Sequence, residues 1–266
     1  MKNQYVGDVN DFLKFTLIET ISDALDYKKI FIAWMLTKND GDGMVLGYLN
    51  ENGNDAFNKP FFDEFHKMIN EWKEYRKEDP RKIERIQNTF ERKYGKGKYL
   101  FHSESIDSES IDKKPRGRYF EELSRIAKNS DIDFVFFDPD NGIKVENNDK
   151  GQLSFSSEAT NKSPKHLYWD EIETFWNMGK DLLIYQHLGR PKGGVDQYIS
   201  EIVKQITDNI KKNKNITNGY VIPIRTKRTV FFYITQHEAA KEKLQKKLEE
   251  KPEYGEKWKE ELFIQL

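Results

Sequence analysis

No cysteine occurs in the 266 residues of the chain. Disulfides, thiolate metal sites and cysteine nucleophiles are therefore excluded. A charge bias is also missing, since 44 lysines and arginines stand against 45 aspartates and glutamates, a formal net charge of -1. A polyanion such as nucleic acid can then be met only through a local basic patch. No apolar run approaches the roughly 18–20 residues of a membrane span, and the opening MKNQYVGDVNDF has no signal-peptide apolar region. These absences lead to the expectation of a cytoplasmic protein without a membrane partner. What is present is an ordinary globular composition, with 14% aromatic and 33% charged residues. The length supplies core enough for a single α/β domain spanning 1–266.

Helical and strand patterns alternate along the chain. Phe12, Phe15, Ile18, Ile21 and Leu25 share one face of a helix over 11–26, with Asn10 as its cap. KKIFIAWMLT (28–37) reads as a strand, and the glycine-bearing KNDGDG after it as a loop. Apolar spacing over 61–94, broken near Pro80, predicts two helices, a helical insertion over about 57–97. KYLFH (98–102) is a short strand, and the tandem SESID-SESID lies in a flexible surface loop over about 103–116. A helix over 118–129 leads to a second buried strand, and a long flexible loop spans about 147–165. A helix near Trp169, a strand over 180–187 and a long amphipathic helix from Val195 to Ile210 follow. GYVIPIRT and RTVFFYIT (219–235) form a hairpin, and 237–250 is a terminal helix. The expected architecture is α/β, Rossmann-like: a mostly parallel sheet with helices on both faces and a C-terminal antiparallel hairpin.

The stretch DFVFFDPDNGI (133–143) concentrates the functional question. Phe134–Phe137 is an apolar run too short for a helix, and it stops on Asp138-Pro139-Asp140-Asn141-Gly142. Those residues make an ordinary type I or II turn, yet they also place carboxylates at the C-terminal edge of the sheet, where open α/β folds bind ligands. Asp40 and Asp42 follow the first strand, and His187 with Arg190 follows the strand after Asp138. Separate loops thus deliver carboxylate, amide and imidazole groups to one edge, and one pocket is expected to gather them. Asp138 is expected to sit exposed at its strand end, where its loss changes stability little. Lys165, His166, Trp169 and Asp170 read as a helix-capping region.

The element order and these motifs resemble the class I S-adenosylmethionine-dependent methyltransferases, nearest to the adenine-N6 enzymes that act on large-subunit ribosomal RNA. GDVNDFLKF keeps Gly7, Asp11 and Lys14 of that family's opening segment and replaces its Asn with Asp8 and its His with Phe15. Asp138-Pro139 matches the start of its Asp-Pro-Pro-aromatic motif, and TVFFYIT with the following helix resembles its closing elements. The chain is more similar still to a bacterial family of no assigned activity that shares GD-x-x-D-x-x-K, WMLT, FFDPDNG, LYWDE and IYQH. The resemblance implies S-adenosylmethionine as cofactor, held by Gly7, Asp11, Lys14, Asp40, Gly41 and Gly43. It implies a nucleic-acid acceptor positioned by Asp138 and Asn141, with Asp140 and His187 completing the candidate catalytic set.

Two departures keep other chemistries open. DPDNG carries no aromatic to stack on a flipped base. The acidic LTKNDGDG loop suits a hard divalent cation better than the carboxylate of methionine. A metal-dependent nuclease or phosphodiesterase would use Asp138 and Asp140 as ligands to Mg²⁺ or Mn²⁺, with His187 as acid or base. A non-catalytic binding or defence-associated module is the third reading.

Overall fold

Helix α1 (Val9–Leu25) is buried without interruption from Asp11 to Ser22, so it is packed all round and has no solvated stripe. Its N-cap is Asp8 and not Asn10, because the Asp8 carboxylate accepts from the backbone N–H groups of Asn10 and Asp11 at 2.7 and 3.1 Å. The computed structural model describes residues 2–38, 59–75, 81–106, 115–147, 153–155, 162–189, 191, 193–212, 218–226 and 228–249. After α1 come β1 (Ile30–Ala33), α2 (Lys59–Tyr75), α3 (Ile83–Tyr94), β2 (Tyr99–His102), α4 (Pro115–Asn129) and β3 (Phe134–Phe137). Four short strands follow: β4 (Gly142–Ile143), β5 (Val145–Asn147), β6 (Leu153–Phe155) and β7 (His166–Leu167). The described chain closes with α5 (Trp169–Trp176), β8 (Asp181–His187), α6 (Val195–Lys212), β9 (Tyr220–Arg225), β10 (Thr229–Thr235) and α7 (Ala240–Glu249).

Among the described residues the main sheet has six strands, in the order β2-β1-β3-β8-β10-β9. β1 runs parallel to β2 and β3, β3 runs parallel to β8, and β10 is antiparallel to both its neighbours. The fold is therefore α/β with a mostly parallel mixed sheet, and β9 with β10 is the expected antiparallel hairpin. β1 and β3 are buried at every position because helices cover both faces. Ile30, Ile32, Phe134 and Phe136 enter a core built with α1, α2, α3 and α7. Phe31, Ala33, Val135 and Phe137 alternate into a second core with α4, α5 and α6.

This layering fixes where the chain can present a site. From β1 the chain crosses one face to β2, then returns over the other face to β3 on the far side of β1. The C-terminal ends of β1 and β3 thus flank the point where strand order reverses, the usual ligand crevice of open parallel sheets. The Asp138 N–H bonds the Ala33 carbonyl at 3.1 Å and ties the two ends together.

The loop expected over 147–165 is in part a hairpin, since Leu153, Ser154 and Phe155 pair with Val145, Glu146 and Asn147. Phe155 stacks on Trp169 at 5.2 Å, which gives that hairpin an apolar anchor. Residues 107–114 of the expected 103–116 loop lie outside the described residues. No helix among the described residues is long and apolar enough to cross a membrane.

Candidate functional site

Lys14 is the centre of the polar cluster at the strand-order reversal. Its ammonium donates to Asp11 Oδ1 at 2.8 Å and to Asp138 Oδ2 at 2.7 Å, joining α1 to the end of β3. It also lies 5.0 Å from the centre of the Tyr185 ring on β8. Lys14 is 3% exposed, Asp11 2%, Asp138 2% and Asp8 8%, so the group is almost dry. The Gly7 N–H, in a left-handed backbone with φ of +95°, donates to Asp11 Oδ2 at 3.3 Å.

Charge in this cluster is unbalanced, since Asp8, Asp11 and Asp138 surround one ammonium. Burial pushes the Asp11 carboxyl up to about 7, Lys14 opposes the rise, and the charges of Asp8 and Asp138 add to it. Burial also raises Asp8, against the N–H groups it caps and the charge of Lys14. For Lys14, burial works against the charged form, but Asp11, Asp138 and Tyr185 outweigh it and raise its pKa. The cluster is thus a fixed cation with a surplus of acid, one member of which titrates near neutrality.

The rest of the DPDNG loop is held mainly by Gln186. Its Oε1 accepts from the Ile143 N–H at 2.7 Å, and its Nε2 donates to the Asn141 carbonyl at 3.1 Å and to the Tyr198 hydroxyl of α6 at 2.9 Å. Gly142 has φ of +99°, and a Cβ there would overlap the Gln186 side chain and approach its Cα at 2.8 Å. Glycine is required at that position on both counts. Asp140 accepts from the Thr37 hydroxyl at 2.6 Å and faces Lys2 at 3.7 Å. Burial works against its charged form, but these and further favourable contacts outweigh it and hold the carboxyl below its usual range.

Of the residues singled out from sequence, Gly7, Asp11, Lys14 and Asp138 come together directly. Asp140 lies two residues beyond Asp138, with Thr37 and Lys2 as its partners. Asn141 is exposed and engages through its backbone, donating to the Lys165 carbonyl at 2.9 Å. His187 is exposed at the end of β8, opposite Thr229 of β10. Asp40, Gly41, Asp42 and Gly43 lie outside the described residues. The expectation of an exposed Asp138 is overturned, because its carboxylate turns back under the edge onto Lys14. A cleft of about 670 Å³ between α4 and α5, lined by Arg116, Phe120, Arg125, Lys162, Glu171 and Met178, contains none of these residues.

Several partners escaped the sequence reading: Tyr185 and Gln186 within IYQH, Thr37 at the end of WMLT, and Lys2. Tyr185 and Gln186 alternate on one strand, which is the signal that would have sent them to opposite faces of the sheet. LYWDE has a structural explanation. Glu171 caps α5 by accepting from the Tyr168 N–H at 3.0 Å and pairs with Arg116 through two 2.7 Å contacts.

Comparison with known proteins adds no relative. The chain matches no protein-family model, no curated protein and no solved structure. The functional reading therefore rests on the geometry and on the motif resemblance.

Proposed function

We propose that this chain is a methyltransferase-like protein that takes S-adenosylmethionine at the ends of β1 and β3 and modifies nucleic acid. The observation that carries the reading is the Asp8, Asp11, Lys14 and Asp138 cluster at the reversal of strand order. A mostly parallel sheet covered on both faces and reversed beside its first strand fits a Rossmann-like scaffold. The donor set also fits the cofactor. S-adenosylmethionine combines a sulfonium and an ammonium with one carboxylate. The surplus of acid complements the two cations, and Lys14 complements the carboxylate.

When bound, the cofactor supplies an electrophilic methyl group. Asp138 and Asn141, just past the end of β3, are the residues that would orient the acceptor amino group. Burial of the cluster excludes water and strengthens these electrostatic contacts. The nucleic-acid acceptor rests on the resemblance of Asp138-Pro139 alone. In the rival reading, Mg²⁺ or Mn²⁺ on Asp138 and Asp140, both carboxylates would have to leave the lysine ammoniums they face.

Calorimetric titration with S-adenosylmethionine, alongside transfer of a labelled methyl group to pooled RNA and DNA, tests the proposal. Binding is expected for the wild type, and Asp138→Asn should retain binding while transfer falls by about 10²-fold. A folded wild type that does not bind the cofactor overturns the reading. Binding without transfer to RNA or DNA overturns the nucleic-acid acceptor.

A further inference from the structure

Strand β2 ends on His102, whose alternation sends its side chain to the α4 side of the sheet, opposite to Lys14 and Asp138. The ring packs edge-on against Tyr119 of α4, with centres 4.7 Å apart. His102 is 5% exposed, and among the described residues neither ring nitrogen has a hydrogen-bond partner. A buried imidazole with two idle nitrogens is costly, and such a group calls for a ligand. The carboxylates of Glu104, two residues along, and Glu122 of α4 approach it. One ligand atom from each of the three residues can be chosen so that all lie within 4.8 Å of one another.

The geometry points to a divalent transition-metal site formed by His102, Glu104 and Glu122, for which Zn²⁺ is the best match. His102 Nε2 and Glu122 Oε2 are 3.9 Å apart, beyond hydrogen-bond reach. Ligand atoms at about 2.1 Å from a shared metal stand roughly 3.0–3.4 Å apart when adjacent. Small rotations of the two glutamates therefore close the site. Glu122 is prepared for this, since its Oε1 accepts from Arg125 at 3.3 Å and leaves Oε2 toward the histidine. One imidazole with two carboxylates favours Zn²⁺ over Mg²⁺ or Ca²⁺, which prefer oxygen donors throughout. Glu104 is exposed and Glu122 half-buried, so coordination positions remain open to water on the solvent side. Three protein ligands plus water is the pattern of an open zinc centre, and it would fasten the loop after β2 to α4. This site lies apart from the Lys14 cluster and does not depend on the cofactor assignment.

The test is equilibrium dialysis of the full chain against Zn²⁺ with elemental analysis, together with Co²⁺ titration followed by visible absorption. Wild type should bind one ion per chain at this site and show the absorption bands of a low-symmetry Co²⁺ centre. Glu104→Gln and Glu122→Gln, at positions too exposed to threaten folding, should each weaken binding at least about tenfold. Zn²⁺ should raise the thermal midpoint of wild type more than that of either variant. His66→Gln, an exposed histidine elsewhere, should change nothing. Absence of bound ion in the wild type overturns the site, as does binding that survives both glutamate substitutions.

Discussion

Two buried aspartates on neighbouring strands, Asp138 just past the end of β3 and Asp181 at the start of β8, are satisfied in opposite ways. Asp181 Oδ2 accepts from the hydroxyls of Tyr27, Tyr233 (3.2 Å) and Thr235 (2.7 Å), and its Oδ1 from the Gln236 N–H at 3.2 Å. The two tyrosine hydroxyls lie 2.5 Å apart, and burial keeps both protonated. The exposed His237 imidazole stands 3.5 Å off. Asp138 instead meets a full cation, which it shares with Asp11. A carboxylate held by hydroxyls and a backbone N–H spreads one charge over many dipoles and is complete in itself. Three carboxylates around one ammonium instead leave charge unevenly balanced, and that difference separates the two poles of the sheet.

The sharpest way to break the comparison is to remove the cation. Lys14→Met removes the cation that the buried Asp11 and Asp138 share and should destabilise the protein by about 3–5 kcal/mol at pH 8. Urea denaturation measures this, and a loss below that of the substitution at the other pole would undo the contrast. There, Asp181→Asn keeps the volume but turns an amide toward the hydroxyls, at a cost of about 1–3 kcal/mol. The smallest effect is the most diagnostic. Because Asp11 is pushed up to about 7, the folded chain binds more protons than the unfolded chain above the ordinary carboxylate range. Stability must therefore fall as pH rises through that window and level off above it. The contribution is on the order of 1 kcal/mol between pH 6 and 8. Asp11→Asn should flatten this slope, whereas Asp181→Asn should leave it in place.

The strands and most helices were legible because their cause is local: runs such as Phe134–Phe137 are apolar at every position. The meeting of Lys14 with Asp138, 124 residues apart, was foreshadowed only in that Asp138 was placed at the sheet edge and Lys14 matched the opening segment of the family the chain resembles. Sequence could not say that they bind each other, since that depends on how α1 lies across the sheet. The cap slipped from Asn10 to Asp8 for a related reason: both are good capping residues, and the turn at Gly7 decides between them. Gln186 was invisible, because its role depends on the register of β8 with β3. His102 was read as the end of a short strand, although a histidine two residues before a glutamate was the available sign.

The position of β10 has a consequence for synthesis. It is the last strand of the main sheet to be made, yet it lies inside that sheet, between β8 and β9. Until residues 229–235 have left the ribosome, β8 has a free edge, and the strand that carries Tyr185 against Lys14 and Gln186 against the loop is held on one side only. A nascent chain therefore carries every residue of the Lys14 cluster well before it has the geometry. Tyr185 and Gln186 gain support on both sides of their strand only with this late insertion.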